Sequence, residues 1–178
     1  ISSRQFKMII PLLIPGLIFV WMYHPYLFPK SAHPFEKSHQ LRVMTYNVLF
    51  SNMDYDAVAN VVLTHQPDLV ALQEVQPEMM NALGERLADD YPYSFLGTEN
   101  TYGTTAVFSR YPFAETEIVD LQADRPAVVV KTKINNQDIT FIATHLLAYN
   151  LWWTKLPDIP EVVMQRTTNQ NQQARILL

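Results

Sequence analysis

Three apolar runs with a two-residue period each finish on a polar side chain, and this pattern limits what the chain can fold into more than any other feature. The same-face columns are Val43, Thr45, Asn47, then Val70, Leu72, Glu74, then Phe141, Ala143, His145. A period of two specifies strands. A polar group ending a strand bound for a core must meet solvent, a partner or a ligand, because an isolated buried charge is prohibitively costly. Laid side by side, the three strands bring an amide, a carboxylate and an imidazole to one sheet edge, where ligands commonly sit in layered α/β folds.

The segments between these runs alternate in type. A strand over 41–48 leads to a helix near 54–66, capped by Asp54, with Tyr55, Val58 and Val62 on one face. Pro67 and Asp68 break it before a strand at 69–74. A second helix follows from about 77 to 89, opened by Pro77, whose missing N–H costs nothing in a first turn, with Leu83 and Leu87 as its buried stripe. The pattern then becomes β-rich over 93–97, 104–109, 115–121, 126–134 and 138–145, and Asn135-Asn136 joins the last two as a tight hairpin. A final helix over about 161–178 carries an Asn/Gln-rich middle. Helices interleaved with mostly antiparallel strands predict an α/β sandwich of two packed sheets flanked by helices.

The N-terminal stretch differs in kind. Residues 8–23, MIIPLLIPGLIFVWMY, carry no charge and end in the amphipathic aromatics Trp21 and Tyr23. Continued through Phe28, the stretch reaches the ~20 residues of a spanning helix, although Pro11 and Pro15 weaken the helical reading. No clean small-x-small cleavage site follows, so residues 1–30 read as an uncleaved membrane anchor, with a signal peptide or a buried apolar arm as alternatives. Arg4 and Lys7 precede the span, which places the remainder outside the cytoplasm, while Lys30 and Lys37 oppose that orientation. Residues 31–40 read as a linker whose histidines lack a framework for metal ligation. Of the 13 basic residues three lie in 1–30, leaving 10 against all 17 acids in the remainder. An acidic body argues against a protein that tracks long nucleic acid. With no cysteine, disulfides, thiolate metal sites and a Cys nucleophile are excluded.

The words LRVMTYNVLF, PDLVALQEVQ, GTTAVFSRYPF and ITFIATHLL, in that order, resemble the endonuclease/exonuclease/phosphatase superfamily of DNase I-like fold. The resemblance covers residues 41–178. It implies the N-terminal part of a two-sheet α/β sandwich, and it implies a chain truncated at its C-terminus, because the family's Asp-x-Asn and Asp-His words do not occur. By resemblance Glu74 is a metal ligand, with Mg²⁺ or Mn²⁺ as the cation, and Asn47 and His145 line the active site. Hard divalent cations take one or two carboxylates together with water and phosphate oxygens, which suits a lone strand-end Glu. From the residues alone, the turn-former reading of Asn47 and the structural hydrogen-bonding reading of His145 would prevail, and Glu74 reads equally as a surface carboxylate.

Under the resemblance Asn47 and His145 hold the phosphate oxygens and water attacks in line. The base activating that water would be the histidine of the missing word, so the fragment by itself is expected to be inactive. Arg110 after Ser109 could touch phosphate or be an exposed strand-end arginine. Ser109 lacks a nucleophile elbow, and Gly103 reads as relief of crowding at a strand entrance. Tyr149, Trp152 and Trp153 follow His145 and favour either a lipid surface or packing under their loop. The expectation is thus a membrane-tethered, divalent-metal-dependent phosphoesterase. Its substrate is a lipid head group, a nucleic acid or a small phosphate ester, and no obligate protein partner is evident. The competing reading is a non-catalytic relative serving as an interaction module.

Overall fold

The computed structural model of the chain describes residues 14–24, 27–28, 40–97, 104–122, 125–146, 151 and 154–177. It divides into two compact units, Ile1–Gln40 and Leu41–Leu178. In the first, a helix α1 occupies 14–24 and its large apolar side chains are exposed, among them Ile14, Leu17 and Trp21. Among the described residues no helix is long and apolar enough to cross a membrane, so the spanning helix expected over 8–28 is not seen there. Residues 1–13, residues 29–39 with all of the linker but Gln40, Gly103, and Tyr149, Trp152 and Trp153 lie outside the described residues.

The second unit holds two sheets. Sheet A has the order β1-β2-β4-β3, formed by Val43–Asn47, Leu69–Val75, Thr104–Ser109 and Tyr93–Leu96. The β1–β2 pair is parallel and the others antiparallel. Sheet B is the meander β5-β6-β7, formed by Phe113–Val119, Ala127–Ile134 and Gln137–Ala143. Asn135 and Asn136 both take positive φ, 52° and 65°, the backbone that a two-residue hairpin of matching twist requires and that Asn tolerates well.

Two helices form as the sequence indicates. In α2 (Tyr55–His65) the Asp54 carboxylate accepts from Ala57 N at 2.9 Å, and Val58, Ala59 and Val62 are buried. In α3 (Pro77–Leu87) Pro77 opens the helix and Met79, Leu83 and Leu87 are buried. These side chains pack with Val70, Leu72, Ala106 and Phe108 on one face of sheet A. Each full burial of such a side chain contributes roughly 1.5–3 kcal/mol. On the opposite face Ala71 and Val107 meet Val128, Val130 and Ala143 of sheet B. Small residues let the sheets approach closely. A Cβ on Gly97 would lie 2.9 Å from Thr104 Oγ1 and 3.0 Å from Val128 Cγ2, so the glycine is required where β3 leaves sheet A. The last helix, α4 (Ile159–Ile176), is joined to the β5–β6 loop by Gln172 Nε2 donating to Gln122 Oε1 at 2.8 Å.

The sandwich corrects two details of the strand-column argument. First, the three strands do not lie side by side in one sheet: β1 and β2 are neighbours in sheet A, whereas β7 belongs to sheet B. Second, the columns face different ways. Val70 and Leu72 point to the helices, while Val43, Thr45 and Asn47 occupy an exposed face of β1, where Thr45 Oγ1 accepts from Gln73 Nε2 at 3.0 Å. A regular β2 would therefore aim Glu74 away from Asn47.

Candidate functional site

A bulge brings the carboxylate back. The β2–β4 register shifts between Leu72 and Val75, and Glu74 adopts φ 62°, a left-handed conformation that a long side chain rarely occupies. The extra residue rotates Glu74 out of the helix-facing column and toward β1. There Oε1 accepts from Asn47 Nδ2 at 3.0 Å and Oε2 accepts from the backbone N–H of Phe50 at 3.0 Å. Asn47 uses its other end locally, with Oδ1 accepting from Leu49 N at 2.9 Å and holding Leu49 at φ 66°. Two left-handed non-glycine residues, Leu49 and Glu74, each costing on the order of 1 kcal/mol, are linked through the side chain of Asn47.

The imidazole arrives from the other sheet. Phe141 and Ala143 on β7 pack into the inter-sheet core, and His145, two residues beyond, continues toward sheet A until Nε2 lies 3.6 Å from Glu74 Oε1. Both side chains are about four-fifths buried. Arg125 closes the group, its Nη1 lying 2.5 Å from His145 Nδ1 and 2.6 Å from Nε2. A guanidinium only donates and a neutral imidazole has a single acceptor nitrogen, so Arg125, which lies equally close to both ring nitrogens, meets His145 through the unprotonated one. Burial lowers the His145 pKa and the Arg125 charge adds to this, with Glu74 opposing, so the ring is held neutral. Burial pushes the Glu74 carboxyl up. Its bonds from Asn47 and Phe50, with the charges of His145 and Arg125, outweigh that and leave it below the ordinary carboxylate value.

All three residues chosen from sequence, Asn47, Glu74 and His145, therefore meet. Arg125 was missed. It lies in a loop without periodicity, yet the hairpin register locates it: β6 and β7 pair Ile134 with Gln137 and Val128 with Ala143, and the same register continued past the strand ends sets Pro126 opposite His145. Ser109 and Arg110 are elsewhere. Ser109 pairs with Leu69 at the start of β2, and the five residues from there to Glu74 span roughly 17 Å. Arg110 lies over the Tyr91 ring at 5.1 Å and cannot touch a ligand held by Glu74.

Among the described residues no group of three or more His, Asp or Glu side chains is arranged to hold a metal ion. The fit therefore rests on Glu74 alone. Each of its oxygens accepts one hydrogen bond and has a second lone pair, with Oε1 also 3.6 Å from His145 Nε2, and the carboxyl is maintained ionised. A single such carboxylate suits Mg²⁺ or Mn²⁺, ions that retain several waters and take phosphate oxygens as further ligands. Around it stand three sources of donors for an anion: the second amide N–H of Asn47, the ring N–H of His145 and the remaining N–H groups of Arg125.

The sequence profile described as "Endonuclease/Exonuclease/phosphatase family" matches residues 44–173. No curated protein sequence matches the chain. Among solved structures, a humanized D. rerio TDP2 carrying 14 mutations superposes with a TM-score of 0.59 at 21% identity, over 74% of this chain and 56% of that one. D. rerio TDP2 complexed with a single-strand DNA product gives 0.56 at 22%, over 72% and 54%. The Bacteroides thetaiotaomicron VPI-5482 mannosyl-6-phosphatase Bt3783 gives 0.52 at 16%, over 74% and 60%. The chain thus spans little more than half the length of the structures it resembles, and at these identities the likeness establishes the fold.

Proposed function

Because the chain belongs to the endonuclease/exonuclease/phosphatase family, we propose that it supplies one half of a divalent-metal-dependent phosphoester hydrolase, in which Glu74 holds the cation while Asn47, His145 and Arg125 hold the phosphate. The observation that carries this reading is the bulge at Glu74, which spends backbone strain to set a carboxylate against an amide from the same sheet and an imidazole from the other.

Asn47 orients Glu74 with one amide hydrogen and offers the other to a phosphate oxygen. His145 is a neutral ring with one N–H to donate, because its acceptor nitrogen is occupied by the Arg125 guanidinium. Such a ring stabilises charge developing on the phosphoryl oxygens better than it could take a proton from water. Arg125 adds a positive charge aligned by the imidazole. When bound, Mg²⁺ or Mn²⁺ would polarise the phosphoryl group as a Lewis acid. Water attacks phosphorus in line, the new P–O bond forms as the ester oxygen departs, and the water proton passes to a base supplied from outside the residues described here.

Lipid head group, nucleic acid and sugar phosphate share the phosphoester that this site addresses. DNA in the TDP2 complex and a sugar phosphate in the mannosyl-6-phosphatase name mark the breadth of related substrates. Membrane tethering, with the catalytic half on the extracytoplasmic side, is part of the same proposal. It is supported by the uncharged run over 8–23 and by the exposed apolar side chains of α1.

The test is hydrolysis of bis(p-nitrophenyl) phosphate by the full-length protein. Turnover is expected with Mg²⁺ or Mn²⁺, to vanish with EDTA, and to fall about 10³-fold in Glu74→Gln. Undiminished turnover in that variant would remove Glu74 from the mechanism. A folded wild-type protein that hydrolyses no ester and binds no cation would make the domain an interaction module.

A further inference from the structure

We propose that Gln76 is a positioning residue for the cation site, acting through the peptide on either side of Phe50. The proposal rests on the metal reading above and concerns how Glu74 is kept in place.

Parallel pairing of β1 with β2 ends at Asn47 and Gln73, with one further ladder bond from Val48 N to Gln73 O at 3.1 Å. The bulge then turns the β2 backbone away, and side chains take over the pairing. Glu74 Oε2 accepts the Phe50 N–H at 3.0 Å, and Gln76 Nε2 donates to the Phe50 carbonyl at 2.6 Å. Phe50 is thus gripped at both ends by side chains two residues apart. Leu49, immediately before it, is held at φ 66°, and Glu74 itself at φ 62°. Both conformations lie uphill for these residues and relax once the loop is released.

Gln76 breaks a local rule in order to do this. It occupies the N-cap of α3, where Ser, Thr, Asp or Asn would satisfy a first-turn N–H, yet its side chain makes no cap bond. Its backbone carbonyl serves the helix, accepting from Met80 N at 2.9 Å, while its amide is directed to Phe50. A residue that forgoes a cap to fix a strained loop bordering a carboxylate is placed for the site and not for the helix.

Gln76→Ser separates the two roles. Serine caps α3 well and cannot span to the Phe50 carbonyl. Two measurements on the metal-free full chain and its Mn²⁺ titration decide the matter: hydrogen exchange of the Phe50 amide, and Mn²⁺ affinity by electron paramagnetic resonance. The proposal expects a midpoint of thermal unfolding no lower than wild type, Phe50 exchange at least tenfold faster, and a Mn²⁺ dissociation constant about tenfold higher. Unchanged Phe50 exchange overturns it. So does faster exchange with Mn²⁺ affinity retained, or a loss of affinity that merely follows a fall in thermal midpoint, since either makes Gln76 a structural residue only. Wild type taking up no Mn²⁺ defeats the metal reading itself, and Phe50 exchange then decides the clamp on its own.

Discussion

The two ends of β2 carry comparable numbers of polar groups and use them in opposite ways. At its start, Asp68 accepts from Arg42 N at 2.8 Å and from the Tyr111 hydroxyl at 3.4 Å, while the Tyr91 hydroxyl donates to Pro67 O at 2.8 Å. Ser109 Oγ donates to Tyr111 O and accepts from Tyr111 N, and Arg110 reaches Asp90 at 3.7 Å. Almost every polar group there is consumed by a neighbour, with Arg110 Nε the exception. At the other end, Asn47, Glu74, His145 and Arg125 bind one another through part of their capacity and leave donors and lone pairs over. A saturated cluster holds a fold together, whereas one with spare valence is set up to meet a ligand.

The largest effect that would break this contrast comes from the two arginines. Arg125→Ala should lower phosphodiester turnover of the full-length protein about 10²-fold, because it removes a charge aimed at the phosphate and frees the His145 ring. Arg110→Ala should leave turnover within about twofold and act on stability instead. Equal losses in both variants would dissolve the distinction between the ends.

Next in size is Tyr91→Phe. The Tyr91 hydroxyl is buried against the Pro67 carbonyl, so its removal leaves an acceptor unpaired and should cost about 1–2 kcal/mol in urea unfolding, with turnover unaltered. A drop in turnover without loss of stability would give the far end a functional role that its geometry does not show.

Much of this contrast was legible in the sequence, and the failures have physical causes. Helix starts at Asp54 and Pro77 and the Asn135-Asn136 hairpin are local chemistry, fixed by capping, by a missing N–H and by tolerance of positive φ, and each appears where expected. The meeting of Asn47, Glu74 and His145 was also anticipated, though by an argument that was wrong in its middle step. Period two put Glu74 in a column that faces the helices; only a bulge, which leaves no periodic trace, reverses it. Likewise a run of alternating residues does not state which sheet its strand joins, so β7 was placed beside β1 and β2. Arg125 escaped notice because loops carry no period, although the hairpin register would have located it.

Acid and alkali should separate the two ends. Burial lowers the His145 pKa from 6.5, so the unfolded chain binds a proton below that value when the folded one does not. Its contribution to stability is whole above 6.5 and declines as the pH falls. Glu74, also lowered, keeps its contribution above 4.5 and loses it only in stronger acid. Tyr91 is the reverse case: burial raises its pKa above 10.0, against the hydrogen bond and charge of Arg110, so its contribution is present below that value and lost as the pH climbs past it. Between pH 7 and 5 the thermal midpoint of wild type should fall by more than that of His145→Asn. Above pH 10 wild type should fall by more than Tyr91→Phe. Parallel curves for a variant and wild type would mean that the group in question titrates alike in both states.

The smallest expected effect tests whether backbone strain itself differs in meaning between the ends. Gln66, where α2 leads into the far end, has φ 47° and donates its N–H to Val62 O at 2.9 Å, an ordinary helix stop in which glycine is favoured. Gln66→Gly should therefore raise stability by about 0.5–1 kcal/mol, the relief of the left-handed conformation exceeding glycine's added freedom in the unfolded chain, and leave turnover alone. Leu49, at φ 66°, should gain similarly as glycine, but there the conformation positions Phe50 against Glu74, and added freedom in the loop should reduce turnover about threefold to tenfold. If the Leu49 variant gains stability without losing turnover, the left-handed backbone beside Glu74 is as incidental as the one that ends α2. The argument for a site would then rest on the side chains alone.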